Sequence, residues 1–299
     1  MPRITVFTPT YNRAYILKNL YESLCRQTFT DFEWLIVDDG STDNTEALVQ
    51  GWGQQQRLNL RYFRQPNGGK HVAVNHGVKE ARGEAFFIVD SDDYLADNAL
   101  FWIDKKFSEI QDDDRFAGIS GLKVFPNGKS ISQGWQKDEI DANALDIRYT
   151  YHVQGDLAEV FKTDVLRQYP FPEGNGEKFC PEALVWNRIA RRYLIRYVQK
   201  PIYVGEYRFD GLSASTIRVR QSSPQNTMTY YAELSRTSVP RSIRIKAAIN
   251  FWRFFEPLSA GKADFADMKK KFYPAARVIG RLIRIRDYRS LKRTARNKK

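Results

Sequence analysis

The sequence is poor in cysteine and histidine and contains no long apolar run. Its two cysteines, Cys25 and Cys180, and its three histidines are too few and too far apart for a disulfide framework or a zinc site. No run of about 18 apolar residues occurs, so we predict no membrane-spanning helix. The amino terminus lacks the apolar core and cleavage site of a secretory signal. We therefore expect a reduced, cytoplasmic protein.

A glycine-rich phosphate loop is also missing. The first apolar run, Ile4–Phe7, continues as Thr8-Pro9-Thr10-Tyr11-Asn12-Arg13, where a dinucleotide-binding oxidoreductase carries G-x-G-x-x-G. This absence excludes a nicotinamide dehydrogenase. It also disfavours a nucleotidyltransferase, which we keep as a less favoured alternative.

Acidic residues are scarce in the last part of the chain. Residues 217–299 hold 21 of the 47 Lys and Arg but only 5 of the 35 Asp and Glu. We expect a mildly acidic domain at 1–216 and a basic helical extension at 217–299. No nucleic-acid-binding module is recognisable, so no nucleic acid partner is expected. The extension suits an anionic membrane surface, with a solvated helix and a subunit contact in a homo-oligomer as alternatives.

Short apolar runs alternate with segments of helical spacing in the first hundred residues. This alternation predicts an α/β fold with a mainly parallel, Rossmann-like sheet flanked by helices. Beyond residue 110 the pattern is mixed, with further strands predicted at Tyr149–His152 and Tyr203–Arg208 and a helix at Pro181–Arg192. The four strands predicted in the first hundred residues are Ile4–Phe7, Trp34–Val37, Leu58–Phe63 and Ala85–Val89.

Polar clusters follow three of these runs at the point where each predicted strand ends. In parallel sheets, ligands bind beyond the carboxyl ends of the strands. Asp90 and Asp92 would point to the same side of an extended segment, so both could address one metal-bound diphosphate. The alternative is a solvated acidic turn. The clusters are Thr8 to Arg13, Asp38-Asp39-Gly40-Ser41 and Asp90-Ser91-Asp92-Asp93.

These motifs in this order resemble family 2 of the inverting glycosyltransferases, which has the GT-A fold. The motifs are VFTPTYNR, FEWLIVDDGSTDNT, NGGK and FFIVDSDD. The resemblance covers residues 3–100 strongly, continues to about 215 and does not reach the extension. It implies a nucleotide-binding half at 1–100 and an acceptor half at 101–216.

The resemblance also implies roles for individual residues. Thr8, Pro9 and Tyr11 would contact the nucleoside, with Tyr11 stacking on the base. Asp39 would accept from the base or ribose, and Lys70 would neutralise phosphate charge at a helix N-terminus. Asp90 and Asp92 would bind the sugar nucleotide and a Mn²⁺ or Mg²⁺ ion, with Asp92 also counted as catalytic.

An inverting transfer requires a general base near the acceptor hydroxyl. The family supplies it from an Asp that follows a Glu, but this chain reads Pro181-Glu182 there. Glu182 is the candidate base, because a carboxylate is retained. Asp156 and Glu177 are the reserves. The alternative for Glu182 is a first-turn glutamate that the helix dipole favours.

The resemblance implies a metal-dependent hexosyltransferase with a nucleotide-diphosphate donor, for which a UDP-sugar is favoured. The acceptor would be a saccharide or lipid-linked hydroxyl in cell-envelope polysaccharide or glycolipid synthesis. Such an enzyme would work at the inner face of the cell membrane as a peripheral protein. The non-enzymatic alternative is a catalytically silent module that binds the nucleotide-sugar.

Overall fold

The computed structural model describes residues 1–174, 176–205, 216–255 and 274–296. These residues divide into two compact units. The first unit contains 1–171 and 185–205, and the second contains the described residues of 172–184 with those from 216 onward. The short segment before residue 185 therefore groups with the C-terminal helices. The domain boundary expected at residue 216 stays a prediction.

The first half of the first unit is a parallel sheet. Its strands are β1 (Ile4–Thr10), β2 (Phe32–Asp38), β3 (Leu60–Arg64) and β4 (Ala85–Ile88), in the order β3-β2-β1-β4. The connecting helices are α1 (Lys18–Cys25), α2 (Thr45–Gln55) and α3 (Lys70–Glu80). Every residue of β1 and β2 is buried, as expected for strands covered on both faces. The predicted alternation of strands and helices is confirmed.

The rest of the sheet is mixed. β8 (Leu157–Lys162) pairs antiparallel with β4 and with β6 (Phe116–Val124), and β9 (Leu194–Val204) runs parallel to β6. β5 (Tyr94–Leu95) and β7 (Glu139–Ala142) both pair antiparallel with β9, which completes a nine-stranded sheet within the described residues. The helices of this half are α4 (Ala99–Ser108), α5 (Asp146–Tyr149), α6 (Thr163–Gln168) and α7 (Ala183–Ile189).

Two local predictions in this half are wrong. Tyr149 ends the helix α5 instead of starting a strand, because the Asn143 carboxamide oxygen accepts from the backbone N–H of Asp146 at 2.9 Å and starts a helical turn. β9 begins at Leu194, well before the predicted start at Tyr203. The predicted start is too late because Lys200-Pro201 interrupts an otherwise strand-like pattern. Residues 206–208 of that predicted strand lie outside the described residues.

An aromatic cluster holds α1 and α2 against the sheet. Tyr21 stacks on Trp52 with ring centroids 4.4 Å apart, and Trp34 of β2 lies 5.8 Å from Trp52. Trp34 is fully buried. Each large apolar side chain buried in this way contributes about 1.5–3 kcal/mol. The cluster therefore fixes the strands whose carboxyl ends carry the polar motifs.

The second unit consists mainly of helices. They are α8 (Thr216–Ser222), α9 (Pro224–Leu234), α10 (Arg241–Arg253) and α11 (Pro274–Arg296). Met228 of α9 packs with Phe251 and Trp252 of α10 in a small apolar core. Across the described ranges, no helix is both long and apolar enough to span a bilayer. The helical character expected for the C-terminal extension is present in these ranges.

Candidate functional site

The carboxyl ends of three strands meet at one edge of the sheet. β1 pairs with β2 so that Thr10 lies opposite Asp38, and it pairs with β4 so that Phe7 lies opposite Ile88. The residues that follow these strands therefore lie side by side, as the sequence pattern predicts. The three polar clusters form one site in the first unit.

The loop after β1 is tied to the loop after β2. The Asn12 backbone N–H donates to the Ser41 hydroxyl at 2.8 Å, and the Asn12 side-chain oxygen accepts from the Thr42 N–H at 2.8 Å. Asn12 has a φ of 54°, a conformation that asparagine tolerates better than most residues. The neighbouring Tyr11 is 47% exposed. Its ring is therefore available to stack on a planar ligand.

Thr8 and Pro9 are both buried within β1. The Thr8 hydroxyl accepts a hydrogen bond from the Trp34 indole N–H at 3.0 Å. This contact directs the Thr8 side chain to the core. A nucleoside contact at Thr8 would have to come from its backbone, so the role of this residue stays a prediction.

Asp38 braces the turn after β2. Its carboxylate accepts from the Ser41 N–H and from the Tyr62 hydroxyl, each at 2.7 Å, and its side chain is fully buried. Burial raises the pKa of Tyr62, and the hydrogen bond to the Asp38 carboxylate raises it further. Both oxygens of the Asp38 carboxylate therefore accept hydrogen bonds inside the protein.

Asp39 holds the Asn67-Gly68-Gly69 turn. Its Oδ1 accepts from the Gln65 amide and the Gly68 N–H, both at 2.8 Å, and its Oδ2 accepts from the Gly69 N–H at 2.7 Å. A carboxylate offers about four acceptor positions, and these described residues fill three of them. The remaining position belongs to Oδ2. A donor group of a base or ribose could hydrogen-bond to this position while the carboxylate keeps its three hydrogen bonds to the turn.

Lys70 and Asp90 form an ion pair across the site. Lys70 is the first residue of α3, directly after Gly69, whose φ of 95° suits glycine. Its Nζ lies 2.5 Å from Asp90 Oδ1, and both side chains are partly exposed. Burial alone would raise the pKa of Asp90, but Lys70 and then Lys123 outweigh it and lower that pKa. Asp90 is therefore ionised at neutral pH.

Each acid of the cluster after β4 faces a different cation. Arg13 Nη2 lies 4.0 Å from Asp92 Oδ2, and Lys123 Nζ donates to Asp93 Oδ2 at 2.9 Å. Together with the pair between Lys70 and Asp90, three basic side chains compensate three carboxylates. The repulsion expected among adjacent acids is relieved in this way.

Tyr203 of β9 connects two of these acids. Its hydroxyl accepts from the Asp90 backbone N–H at 2.9 Å and donates to Asp93 Oδ2 at 2.8 Å. Burial and the charges of Asp90 and Asp93 raise the pKa of Tyr203 well above its ordinary value. Burial also raises the pKa of Asp93. The phenol is therefore a neutral hydrogen-bonding bridge that fixes the turn.

Sequence reasoning assigned no role to Arg13, Lys123 or Tyr203. Arg13 stands in the first motif, but nothing local pairs it with Asp92. Lys123 carried a usable signal, because a lone lysine near the end of the apolar strand Phe116–Val124 requires a partner when its stem is buried. The identity of that partner depends on tertiary structure.

The carboxylate chemistry of the site fits a divalent cation shared with a diphosphate. Asp90 and Asp92 supply hard oxygen ligands, and Mg²⁺ or Mn²⁺ commonly completes its shell with phosphate oxygens and water. Within the described ranges, no group of three or more His, Cys, Asp or Glu side chains is arranged to hold a metal ion. Asp90 and Asp92 could supply two carboxylate ligands, and phosphate oxygens and water would complete the shell of such an ion.

The candidate base and its reserves lie in different places. Glu182 directly precedes α7 and belongs to the second unit, as does Glu177. The Glu177 carboxylate accepts from the Gln225 and Asn226 N–H groups at 2.7 and 2.8 Å, so it caps the N-terminus of α9. Asp156 is exposed in the first unit and interacts electrostatically with Lys123. The role of Glu182 as base stays a prediction.

Residues 5–161 match the model of the family described as Glycosyl transferase family 2. The chain belongs to this family. The match covers more than half of the chain and includes every strand-end motif of the site. The suspected family is therefore confirmed, and the protein is a glycosyltransferase by family.

The chain is similar to longer curated relatives and to solved structures. It is 27% identical over 212 residues to the GalNAc(5)-diNAcBac-PP-undecaprenol beta-1,3-glucosyltransferase of Campylobacter jejuni, covering 68% of this chain and 62% of that protein. TarS 1–349 of S. aureus in complex with UDP-GlcNAc has a TM-score of 0.65 at 20% identity, covering 99% of this chain and 92% of that one.

A second solved structure shares the fold. The mannosyltransferase PcManGT of Pyrobaculum calidifontis, in complex with GDP-Man and Mn²⁺, has a TM-score of 0.54 at 21% identity and covers 97% of this chain and 83% of that one. At these identities the two structures show the fold alone. The GT-A fold class predicted from the sequence is confirmed.

Proposed function

We propose that this glycosyltransferase transfers a hexose from a UDP-sugar to a hydroxyl acceptor with inversion at the anomeric carbon. The observation that carries the proposal is the meeting of the Asp39 turn, the ion pair of Lys70 with Asp90, and Asp92 at one sheet edge. Sites of this kind bind phosphorylated ligands beyond the carboxyl ends of the strands.

The nucleoside would bind beside Tyr11 and Asp39. Tyr11 offers an exposed ring for the base, and Asp39 Oδ2 offers an acceptor position for a ribose or base donor. The complexes of TarS with UDP-GlcNAc and PcManGT with GDP-Man support a nucleotide-sugar donor. We favour UDP as the nucleotide, which the TarS complexes with UDP and with UDP-GlcNAc support.

The diphosphate would bind next to the cations of the site. Lys70 stands at the start of α3, where backbone amides and the helix dipole also favour an anion. Arg13 and Lys123 add positive charge behind Asp92 and Asp93. Charges fixed in this way stabilise a departing diphosphate without reorganisation.

Asp92 and Asp90 would hold Mn²⁺ or Mg²⁺ together with the phosphates. When bound, the metal supplies Lewis-acid stabilisation of charge on the leaving group. The Mn²⁺ in the PcManGT structure supports metal use in this fold. Lys70 and Lys123 keep Asp90 ionised. Its carboxylate could therefore bind the metal ion or keep its ion pair with Lys70.

Glu182 would take the proton of the acceptor hydroxyl as the sugar is transferred. The acceptor we propose is a saccharide or lipid-linked hydroxyl in cell-envelope polysaccharide or glycolipid synthesis, which the name of the Campylobacter relative supports. The chain spans less than two thirds of that relative's length. The cytoplasmic location and a homo-oligomer stay predictions.

Donor turnover separates the roles of Asp92 and Glu182. We would measure UDP release from a panel of UDP-sugars with Mn²⁺, and UDP affinity by calorimetry. Asp92→Asn is expected to weaken both metal-dependent UDP binding and turnover by about tenfold or more, since a carboxylate ligand is lost. Glu182→Gln is expected to lower turnover by about 100-fold or more while leaving UDP affinity unchanged.

Retained turnover in Asp92→Asn with Mn²⁺ present would contradict the proposed site. Metal-dependent UDP binding without any turnover in the wild type would instead favour the silent binding module. Full turnover in Glu182→Gln would contradict the role of Glu182 as the general base. Asp156, which interacts electrostatically with Lys123, would then be the next candidate. Glu22→Gln, an exposed glutamate on α1, is the control for both assays.

A further inference from the structure

Helix α11 has one face that packs closely on α10. Ala276, Gly280 and Asp287 are spaced to share one face of the helix, and Ala276 and Asp287 are buried. A Cβ added at Gly280 would lie 2.4 Å from the Ile249 carbonyl oxygen of α10. The Asp287 carboxylate accepts from Arg253 Nε at 2.6 Å. This face is fully committed to α10.

The opposite face of α11 exposes large apolar side chains. Val278, Leu282 and Ile285 lie roughly 180° around the helix from the packed face, at 100° per residue. They are 59%, 61% and 50% exposed. Of the ten large apolar side chains that are exposed in the described ranges, five lie on α11, including Ile279 and Tyr288. We call Val278, Leu282 and Ile285 the apolar ridge.

The apolar side chains of α11 divide between two sides of the helix. Ile283 is half-buried, so it belongs to the packed side, while Val278 and Ile285 are outward. A solvated helix would expose polar side chains on this face. Contiguous exposed apolar side chains instead mark a surface that contacts another molecule or a membrane.

The exposed charges that α11 itself places around the apolar ridge, within its described residues 274–289, are positive. Arg281, Arg286 and Arg289 are exposed on α11 beside the ridge. The only acid among residues 274–289 is Asp287, which is buried against Arg253. The ridge is therefore a narrow apolar surface inside a cationic border.

We propose that the apolar ridge of α11 docks on an anionic lipid surface. An interfacial helix inserts apolar side chains at the boundary of headgroups and acyl chains while its arginines contact lipid phosphates. A second copy of the chain fits less well, because self-pairing of the ridge would bring arginines of like charge together. This proposal does not depend on the transfer reaction.

Vesicle binding of the full chain tests the proposal. Co-sedimentation would compare vesicles of pure phosphatidylcholine with vesicles of phosphatidylcholine and phosphatidylglycerol, at low and high salt. The wild type is expected to bind the mixed vesicles about tenfold or more tightly, and high salt should weaken that binding. The double variant Leu282→Gln/Ile285→Gln is expected to lose about tenfold, because its inserted apolar surface is removed.

Matched controls keep the result interpretable. Phe101→Gln changes a large apolar side chain that is also 47% exposed, but on α4, and is expected to bind as the wild type does. Leu282 and Ile285 are both exposed. The double variant should therefore keep the circular dichroism spectrum and the UDP affinity of the wild type. Light scattering without vesicles measures self-association in both proteins.

Three outcomes would overturn the proposal. The first is no binding of the wild type to either vesicle. The second is equal binding of the wild type and the Leu282→Gln/Ile285→Gln variant to the mixed vesicles. The third is concentration-dependent self-association that the same double variant abolishes, which would assign the ridge to a second copy of the chain.

Discussion

Asp39 holds the Asn67-Gly68-Gly69 turn at the edge of the candidate site. It fixes the glycine turn through three hydrogen bonds and leaves one acceptor position on Oδ2. The sequence motif identified the residue, but it did not indicate that the Gly68 and Gly69 amides would be its main partners. The ligand role that we propose for Asp39 would therefore be coupled to its role in the turn.

Asp39→Asn tests this coupling. The amide NH₂ would face at least one of the N–H groups that the carboxylate now accepts, which costs about 1–3 kcal/mol. We expect UDP affinity to fall by about tenfold or more and the free energy of unfolding to fall with it. Calorimetry with UDP and urea unfolding measure the two effects, and the exposed Asp31→Asn is the control. Unchanged UDP affinity would show that the turn does not shape the nucleotide site.

Tyr203→Phe tests the bridge between Asp90 and Asp93. Removing the hydroxyl leaves the Asp90 N–H and Asp93 Oδ2 each one hydrogen bond short in a buried place, at about 1–3 kcal/mol. We expect weaker Mn²⁺-dependent UDP binding and a lower free energy of unfolding. Tyr197→Phe, a buried tyrosine on the same strand, should leave UDP binding unchanged. Equal effects of both variants on binding would contradict a specific bridge.

The residues that sequence reasoning missed share one property. Arg13, Lys123 and Tyr203 act on acids that lie 79, 30 and 110 residues away in the chain. Motif order predicts which polar groups reach the sheet edge, because strand ends carry them there. It does not predict which side chain faces which acid, since these partners are far apart in the chain and meet only in the folded structure.

At the scale of elements, the local sequence pattern predicted the parallel half of the sheet well. The strands β1 to β4 lie where the apolar runs predict them. The antiparallel strands were harder to predict because their pairing joins distant segments, as β7 joins β9. The first half of β9 was not predicted because Lys200-Pro201 interrupts the strand pattern.

Gly280→Ala tests the close approach of α10 and α11. The new Cβ would meet the Ile249 carbonyl oxygen at 2.4 Å and Trp252 Cβ at 2.7 Å, so the helices must separate. We expect a loss of roughly 1–3 kcal/mol in the free energy of unfolding by urea, as for overpacked sites. Gly51→Ala in α2 has nothing within 4 Å and should stabilise by up to about 1 kcal/mol. Equal gains in both variants would contradict the packing.

Glu177→Gln tests the cap of α9 and its pH dependence. Gln keeps one acceptor for two N–H groups, so we expect a loss of about 1 kcal/mol at neutral pH. Burial raises the pKa of Glu177 above its ordinary value, although the Asn226 and Gln225 N–H groups oppose this. The native state then binds the proton more readily than the unfolded state.

The sign of the pH effect follows from linkage. The contribution of a raised pKa is fully present below the ordinary glutamate pKa and is lost as pH rises through the native pKa. The stability difference between wild type and Glu177→Gln is therefore expected to be larger near pH 4 than at pH 7. Urea unfolding at both values measures it, with Glu22→Gln as the control. A smaller difference at pH 4 would contradict the raised pKa.

At the scale of the whole molecule, the charge asymmetry of the sequence corresponds to two separate chemistries. The first unit carries a site in which acids and cations are matched, at the carboxyl ends of parallel strands. The second unit ends in α11, whose basic residues surround an exposed apolar ridge. Composition indicated that these parts differ, while the packing of α11 on α10 determines which side chains face outward.

The central claim is that the strand-end site binds a nucleotide-sugar with a divalent metal. Thermal unfolding of the full chain with UDP-, GDP- and dTDP-sugars, each with and without Mn²⁺, tests it most directly. Ligands that bind only the folded state raise the midpoint by mass action. We expect the largest shift with a UDP-sugar, and we expect it to require Mn²⁺. If none of these donors gives a shift that depends on Mn²⁺, the proposed nucleotide-sugar and metal site is contradicted.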